Sequence, residues 1–416
     1  MRSWRYVWLI PILAFVLDLY VFQAVKAVSQ SASPRLRTTI YWSYWAGSLV
    51  ILLSVCLLPY LYRRYSWMQG YGFFILIGFY LSKLLVSIFL LMDDIRRVIQ
   101  WIAGRLMSSP AVAHPASAEV SRSVFMSWLG LGLGAGLYGS LLHGFANKYR
   151  YRVRRVRLNF ANLPASFKGL RILQISDIHS GSLKNPAAVR RGVDMALAEK
   201  PDIILFTGDL VNNIALEVGD YQGIFGCLTA PLGVFSTLGN HDYGDYSWWE
   251  NAEAKKANLD HLKRIQAEMG WRLLMNEHVV LEKGGEQIAL IGVENWSAKA
   301  RFPKYGKLDE AYAGAEKYPF KILMSHDPSH WDAQVRTEYP DIDLTLSGHT
   351  HGMQFGLELP WFRWSPVQYI YKEWAGLYQE GRQKLYVNRG FGFIGYPGRV
   401  GIMPEITVIE LGQGRP

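Results

Sequence analysis

The chain has 416 residues, which is long enough for two or three domains, and 44 Lys and Arg against 34 Asp and Glu give it a formal net charge of +10. Its two cysteines, Cys56 and Cys227, exclude a fold held together by a framework of disulfides. Much of the positive excess adjoins apolar runs, which favours contact with anionic lipid head groups over binding to nucleic acid. The densest cluster has six basic residues between Lys148 and Arg157, directly after the last apolar run.

The first third of the chain contains four apolar runs, each long enough to cross a bilayer as a helix. They cover about residues 7–28, 41–62, 71–92 and 124–143. Basic residues before the first run also suit a cleaved signal peptide, but its length and the runs that follow favour an uncleaved span. We therefore predict a four-span transmembrane region over residues 1–147 and a catalytic domain over residues 148–416.

Four spans place both chain ends on the same side of the membrane. Basic residues at the N-terminus, at positions 63–64 and after the last run all fall on that side, which the positive-inside rule assigns to the cytoplasm. We predict a multi-pass integral membrane protein whose catalytic domain faces the cytoplasm. Asp18 and Lys83 are ionisable residues within the runs, where they pair with each other, extend towards an interface or serve a function.

The remaining two-thirds of the chain alternates between strand and helix patterns at first and becomes richer in strands later. Strands are predicted over residues 171–176, 202–207, 233–238, 278–283, 287–293, 320–324, 344–346, 384–388 and 405–411. Helices are predicted over residues 187–199 and 248–269. This order favours an α/β (α+β) sandwich of two sheets.

Five short polar motifs follow predicted strands, where a layered α/β fold gathers its reactive groups. In chain order they are Asp177-Ile178-His179, Gly208-Asp209, Gly239-Asn240-His241-Asp242, Ser325-His326-Asp327 and Gly348-His349-Thr350-His351-Gly352. Carboxylate, amide and imidazole groups are ligands for hard or borderline divalent metals. Two cations about 3.5–4 Å apart can hold the attacking and leaving oxygens of a phosphoryl displacement. An Asp-x-His or Gly-Asp motif alone is more often structural, whereas the Gly-His-Thr-His-Gly motif alone already favours a metal. The five motifs in this order predict a two-metal phosphoesterase site.

On these motifs the chain resembles the calcineurin-like metallophosphoesterase superfamily, in particular its bacterial membrane-associated branch, over about residues 170–411. The resemblance implies a bacterial cell membrane as the location. It also implies a four-layered metallophosphoesterase β-sandwich flanked by helices, here preceded by the all-α four-helix transmembrane region. The cofactors that it implies are two divalent metal ions, Mn, Fe or Zn.

The resemblance also assigns roles to the residues of the motifs. The ligands implied for the first metal are Asp177, His179, Asp209 and His351. The ligands implied for the second metal are Asn240, His326 and His349, with Asp209 bridging the two metals. A metal-bridging hydroxide is implied as the nucleophile, with His241 protonating the leaving oxygen or stabilising its charge and Asp242 orienting His241.

Three features outside the motifs bear on the substrate. Met353 stands where members of the branch often have glycine, and it narrows the mouth of the site or makes it apolar. Arg389 is a candidate contact of the substrate phosphate or, alternatively, the partner of a carboxylate. Core packing, substrate contact and insertion into the bilayer are all compatible with an aromatic stretch made of Trp361, Phe362, Trp364, Tyr369 and Tyr371.

We predict a membrane-anchored di-metal phosphoesterase that hydrolyses a phosphodiester or phosphomonoester. The spans, the basic residues and the aromatic stretch suggest a lipid-linked substrate. The alternative is a non-catalytic membrane scaffold or binding protein with a phosphoesterase fold, against which the presence of both Asp209 and His241 argues. The expected partners are a phosphate-ester substrate and the membrane, without nucleic acid. The identity of the metals, the substrate and the oligomeric state stay open.

Overall fold

A computed structural model of the protein describes residues 9–65, 67–106 and 122–414. The chain divides into two compact units, and the division falls between His143 and Gly144. The basic residues that precede the first predicted span lie outside the described residues.

The first unit consists of helices, and four helical stretches of the described chain are long and apolar enough to cross a membrane. The helices are α1 (Leu9–Val28), α2 (Pro34–Cys56), α3 (Leu58–Arg64), α4 (Phe73–Leu106) and α5 (Arg122–Asn147). The prediction of four apolar helices is therefore confirmed. The last of these helices ends four residues inside the second unit.

Among the predicted ends that differ from the structure, α2 begins at Pro34, earlier than residue 41, and two further ends have a clear local reason. α2 stops at Cys56, earlier than predicted, because Pro59 has no N–H to donate and its ring clashes with the preceding helical turn. α4 continues well beyond residue 92, although the sequence becomes charged there. Asp93 and Arg96 lie one helical turn apart and pair at 2.7 Å, so the charged residues stabilise the helix instead of ending it.

A buried ion pair lies among the helices of the first unit. Lys83 donates to the carboxylate of Asp18, and the two side chains are 8% and 1% exposed. The Lys83 ammonium also lies 2.8 Å from the hydroxyl of Ser48, and Tyr44 donates to the carbonyl of Asp18 at 2.7 Å. Of the alternatives that the sequence left open for Asp18 and Lys83, the structure contains the pair.

The second unit contains fourteen strands among its described residues. They are β1 (Arg152–Phe160), β2 (Arg171–Ile175), β3 (Ile203–Phe206), β4 (Val234–Ser236), β5 (Trp271–Leu273), β6 (Glu277–Lys283), β7 (Glu286–Gly292), β8 (Lys321–Met324), β9 (Leu344–Ser347), β10 (Leu357–Leu359), β11 (Phe362–Trp364), β12 (Gly376–Glu380), β13 (Gln383–Val387) and β14 (Glu405–Gln413). The helices of this unit, after the end of α5, are α6 (Pro186–Ala198), α7 (Gln222–Phe225), α8 (Ala252–Glu268), α9 (Leu308–Tyr312) and α10 (Arg336–Glu338).

Twelve of these strands form two six-stranded sheets, in the orders β1-β14-β2-β3-β4-β5 and β12-β13-β9-β8-β7-β6. The sheets face each other across one apolar core, in which Ile172 and Leu205 of the first sheet share a cluster with Leu290 of the second. The outer faces of the sheets carry separate apolar clusters, which include residues of α6 and α8 on the first sheet and of α9 on the second. Successive residues of a strand point to opposite faces, so the strands serve both kinds of core. The predicted four-layered sandwich flanked by helices is confirmed.

β1 contains four of the six residues of the basic cluster that follows the last span. The sequence assigns this cluster to the lipid surface, and in the structure residues 152–160 also form an edge strand that pairs in parallel with β14. Arg155 forms a two-armed ion pair with Glu199, with N–O distances of 2.6 and 2.7 Å. Arg154 pairs with Glu358 and Glu405. Several of these arginines therefore stabilise the domain itself.

We expect Lys83→Met to destabilise the first unit, because it leaves the Asp18 carboxylate unpaired among apolar side chains. Breaking a buried pair in this way costs about 3–5 kcal/mol in comparable proteins. The double variant Asp18→Leu/Lys83→Met removes both charges and should recover most of that loss. Thermal unfolding of the full chain in detergent measures both effects, and equal losses in the single and double variants would contradict the coupling.

Candidate metal centre

The five polar motifs meet at one edge of the sandwich. Asp177, Asp209 and Asn240 follow the neighbouring parallel strands β2, β3 and β4, and parallel neighbours end at the same edge of a sheet. His326 and His349 follow β8 and β9, which are parallel neighbours in the other sheet. The loops are joined across the sandwich, since the carboxylate of Asp177 accepts a hydrogen bond from the backbone N–H of His349 at 3.0 Å.

The backbone of these loops is strained at the candidate ligands. Nine non-glycine residues of the described chain have a positive φ, and five of the nine are predicted metal ligands. These five, with φ between 50° and 70°, are Asp177, His179, Asp209, His349 and His351. Such conformations cost about 1–3 kcal/mol each and persist only where the surrounding structure enforces them. The rigid sandwich thus holds the loops in a shape that turns several polar side chains towards one point.

One group of candidate ligands consists of Asp177, His179 and His351. The ligand atoms of these three buried side chains all lie within 4.8 Å of one another. The Nε2 atoms of His179 and His351 are 3.0 Å apart, and His351 Nε2 is 3.3 Å from Asp177 Oδ1. Three atoms that suit a divalent cation therefore converge here.

A second group consists of Asp209, His326 and His349, with the same spacing among their ligand atoms. Asn240 belongs to this group as well, because its Oδ1 lies 2.7 Å from Nδ1 of His349. One oxygen of Asp209 faces both groups, at 3.2 Å from Nε2 of His326 and 3.6 Å from Nε2 of His179. This carboxylate is therefore in a position to be shared.

The hydrogen bonds of His326 indicate whether these residues fit a metal. Its Nδ1 donates to the carbonyl of Thr207 at 2.7 Å, and its buried Nε2 has no hydrogen-bond partner. A lone pair on Nε2 then faces a carboxylate oxygen of Asp209, and the two repel unless a positive charge lies between them. Burial lowers the pKa of His326, but Asp209 and Asp177 outweigh burial and raise that pKa to about 10.

A metal cation satisfies this demand for positive charge more fully than a proton does. A proton on His326 reaches one carboxylate oxygen, whereas a cation accepts electron pairs from several ligand atoms at once. Nδ1 of His179 lies 3.2 Å from the carbonyl of Val211, so its Nε2 is free to act as a second ligand near Asp209. The residues present therefore fit divalent metal ions.

His241 lies at the wall of the cavity above these ligands, but the structure corrects how it is held. Its Nδ1 donates to the carbonyl of Asn212 at 2.6 Å. The carboxylate of Asp242 instead accepts backbone N–H groups of Gly239 and Asp209, at 2.9 and 2.8 Å, and of the residue after Asp209. The prediction that Asp242 orients His241 is therefore wrong. Asp242 ties two ligand-bearing loops together, because a buried carboxylate with two oxygens can collect several N–H donors.

The predicted contact of Arg389 with the substrate is also wrong. Its guanidinium is 2% exposed and pairs with Glu358 and Glu405, at 2.5 Å each. The carboxylate partner that the sequence offered as the alternative is what the structure contains. Sequence spacing cannot distinguish the two outcomes, since both need an arginine after a strand.

The cavity above the ligands has a volume of about 470 Å³ and includes residues that no motif indicated. Tyr246 and Arg301 contribute polar groups to it. Its apolar wall comprises Met353, which the sequence placed at the mouth of the site, together with Phe302, Val367, Ile370 and Ile394. Most of these residues come from irregular segments between strands, where the sequence has no periodic pattern that could reveal them.

Tyr371 and Arg399 support the ligands from behind; the sequence indicated Tyr371 only as part of the aromatic stretch and did not indicate Arg399. The hydroxyl of Tyr371 lies 2.8 Å from Nε2 of His349 and donates to Asp327 at 3.2 Å. The fully buried Arg399 lies 3.2 Å from Nδ1 of His351 and donates to the carbonyl of Arg389 at 2.7 Å. Burial lowers the pKa of Arg399 to about 9 even though Asp177 and Glu405 oppose that shift.

Family models match both parts of the chain. The model for calcineurin-like phosphoesterases matches residues 170–353. A model described as a probable calcineurin-like phosphoesterase transmembrane domain matches residues 2–148. The two matches follow one another along the chain, with residues 149–169 between them.

Three relatives illustrate the range of similar proteins. A zebrafish (Danio rerio) transmembrane protein with metallophosphoesterase domain is 31% identical over 63% of this chain, and the match spans only 57% of that protein. The Bacillus subtilis metallophosphoesterase YkuE is 30% identical, over 60% of this chain and 81% of its own length. The Chlamydia trachomatis UDP-2,3-diacylglucosamine pyrophosphatase LpxG is 30% identical, over 58% of this chain and 84% of its own length.

We expect Asp242→Asn to lower both the melting temperature and the uptake of metal. The new amide group would present N–H atoms to backbone N–H donors, and an unsatisfied buried group costs about 1–3 kcal/mol. Calorimetry and elemental analysis of the full chain, refilled with manganese, measure the two effects. Asp260→Asn is the control, because it removes only an exposed ion pair on α8. Equal behaviour of the two variants would contradict the role assigned to Asp242.

Proposed function

The chain belongs to the calcineurin-like phosphoesterase family, and on that basis we propose that it is a membrane-anchored, metal-dependent phosphoesterase with two divalent cations at its centre. The observation that carries this proposal is the carboxylate of Asp209, one oxygen of which faces both groups of candidate ligands. A two-metal site needs such a shared ligand between otherwise separate sets. The transmembrane match and the four apolar helices support anchoring.

We assign one cation to Asp177, His179 and His351, and the other to Asn240, His326 and His349, with Asp209 common to both. Oxygen and imidazole ligands suit Mn, Fe or Zn. When bound, the two cations would lower the pKa of a water molecule, so that hydroxide is available to attack phosphorus. They would also neutralise charge on the phosphate. Four histidines and an asparagine against two carboxylates leave the loaded site with net positive charge, as an anionic substrate requires.

We assign the leaving-group proton to His241. Its Nδ1 donates to the carbonyl of Asn212, so Nε2 is the ring nitrogen left to reach a substrate in the cavity. The ring lies against two neighbours that restrict its rotation, with centroid distances of 5.0 Å to His179 and 4.6 Å to Tyr246. A proton held at Nε2 can therefore be given to the departing oxygen from a fixed position.

We propose that the substrate is a phosphodiester or phosphomonoester with a lipid attached. The apolar wall of the cavity supports this, because Met353, Val367 and Ile370 line the same space as the candidate ligands. The name of the chlamydial relative refers to a diacylated nucleotide sugar, which is one substrate of this kind.

We also propose the arrangement of the chain around the membrane. Residues 1–147 form the anchor and residues 148–416 form the catalytic domain, which faces the cytoplasm of a bacterial cell. Nucleic acid is not proposed as a partner, since the arginines Arg154 and Arg155 of the basic cluster already pair with carboxylates of the domain.

We expect His241→Ala to abolish most turnover while leaving the bound metal unchanged. General acid catalysis contributes about 10²–10⁴-fold, and His241 is outside both ligand groups. Hydrolysis of bis(4-nitrophenyl) phosphate and 4-nitrophenyl phosphate by the full chain in detergent, refilled with manganese, measures the effect beside elemental analysis. His261→Ala on α8 is the matched control.

The same assay separates the enzyme from the scaffold alternative. Turnover that needs metal and is lost in His241→Ala supports the enzyme and the role of His241. Two bound metals without turnover, on these substrates and on phospholipids in mixed micelles, would contradict the enzyme and favour the scaffold. Turnover that survives in His241→Ala would contradict only the role assigned to His241, and the proposal of an enzyme would stand.

A further inference from the structure

We propose that residues 357–370, which comprise the β10–β11 hairpin and the turn after it, dock on the head-group layer of the lipid bilayer. We call this segment the docking hairpin. Its second role, the admission of a lipid-linked substrate from the membrane side, rests on the function proposed above. Docking itself does not depend on that function.

The docking hairpin concentrates exposed apolar surface. Fourteen large apolar side chains are exposed in the described part of the second unit, and six of them fall within these 14 residues. The six are Leu357, Leu359, Trp361, Phe362, Tyr369 and Ile370. Trp361 is 82% exposed and Tyr369 is 77% exposed. Single exposed apolar residues are ordinary, but a contiguous patch marks a surface that meets a partner.

The exposed patch follows from how the hairpin is attached to the domain. β10 and β11 pair only with each other and belong to neither six-stranded sheet. In the register, Leu359 stands opposite Phe362, and Glu358 stands opposite Arg363 on the other face. The polar face is fixed to the domain, because Glu358 pairs with Arg389 and Arg363 donates to the carbonyl of Ala375.

This orientation is the reverse of an ordinary surface hairpin. A strand pair at the surface of a soluble domain normally turns its apolar face inward and its polar face to water. Here both charged residues bind the domain and Glu358 is largely buried, although Arg363 stays exposed, and Leu359 and Phe362 of the apolar face are left outside. The energetic cost of exposing that face disappears if it contacts apolar material.

The composition of the hairpin favours a bilayer over a protein partner. Trp and Tyr concentrate where a protein meets the head-group layer, because their rings are apolar but carry one polar group. Trp361 and Tyr369 are the most exposed of the six side chains. Arg152, at the start of the adjoining strand β1, is exposed and basic, which suits anionic head groups.

The path of the chain within the second unit also points to the bilayer. The fourth candidate span ends at Asn147, whose side chain donates to the carbonyl of Arg399 at 3.2 Å. The next residue, Val400, accepts a hydrogen bond from the backbone of Gly356 at 2.9 Å. Gly356 directly precedes the hairpin, so the hairpin begins close to the point where the chain leaves the span.

The docking hairpin is continuous with the apolar wall of the cavity. Met353 precedes the hairpin, Val367 and Ile370 are part of its turn, and all three line the cavity that contains the candidate ligands. An acyl or prenyl chain could therefore remain in contact with apolar side chains while its phosphate reaches the ligands. The substrate class that this geometry fits is a phosphate ester whose lipid part enters from the bilayer.

Docking is tested with a fluorescent probe on the full chain in lipid nanodiscs. Cys56 and Cys227 are replaced by Ser, and a single Cys labelled with the fluorophore NBD replaces Trp361. The control is Val280→Cys, labelled in the same way on β6. Val280 is 40% exposed, and β6 is five strand spacings, about 24 Å, from β12 at the hairpin edge of that sheet.

We expect the emission of the label at position 361 to shift to the blue and to be lost when lipids with a spin label near the head group are added. The label at position 280 should keep its emission. Equal, weak quenching at both positions would overturn the proposal. That result would mean that a protein, a second copy of the chain or water covers the hairpin instead of lipid.

Substrate entry is tested with a pair of chromogenic diesters, hexadecyl and methyl 4-nitrophenyl phosphate. We expect Trp361→Ser/Phe362→Ser to lower kcat/KM for the hexadecyl ester in nanodiscs and to leave the methyl ester unchanged, because neither residue lines the cavity. Equal loss on both esters, or no loss on either, would overturn the entry route. If the parent chain turns over neither ester, that result would instead count against the proposed function. The quenching result would still decide docking.

Discussion

The whole site depends on the demand for positive charge among carboxylate and imidazole groups that are buried together. Nε2 of His326 and an oxygen of Asp209 lie 3.2 Å apart with no hydrogen bond between them, and Nε2 of His179 lies near the same oxygen. Nδ1 of each ring donates to a carbonyl group, of Thr207 for His326 and of Val211 for His179, so that Nε2 of each ring faces Asp209. Positive charge at the centre therefore stabilises the folded loops, and metal binding and folding are thermodynamically linked.

The surrounding structure compensates for the strain of the loops. Asp242 gathers backbone N–H groups from two loops, and Arg399 gathers carbonyl groups behind His351. Close packing leaves no room for adjustment, since a Cβ on Gly348 would collide with Ser176 and Asp177. The loops therefore keep their shape because two sheets, joined by a single core, hold their ends.

The surface of the domain shows a second departure from an ordinary soluble fold. The segment from Met353 to Tyr371 contributes one wall of the cavity and also carries the docking hairpin. The ion pairs of Glu358 with Arg154 and Arg389 attach the polar face of that hairpin to the domain. Electrostatic attachment to the domain thus leaves apolar surface exposed, which is favourable only where water is excluded.

The sequence by itself determined the four apolar helices, most of the central strands and the set of candidate ligands. Hydrophobic periodicity and the polar residues at strand ends are local signals, and they do not depend on what packs against them. Boundaries were less certain where local effects compete, as at Pro59, or where charged residues pair along a helix, as beyond Met92.

Only the tertiary structure decided how the polar residues are partnered. Asp242 and Arg389 have the spacing of catalytic residues, yet one collects backbone N–H groups and the other pairs with two glutamates. Most of the basic residues after the last span lie in β1. Tyr371 contacts His349, and Arg399 contacts His351. A hydrogen bond or an ion pair joins residues that are far apart in sequence, so its partners are fixed only when the two sheets come together.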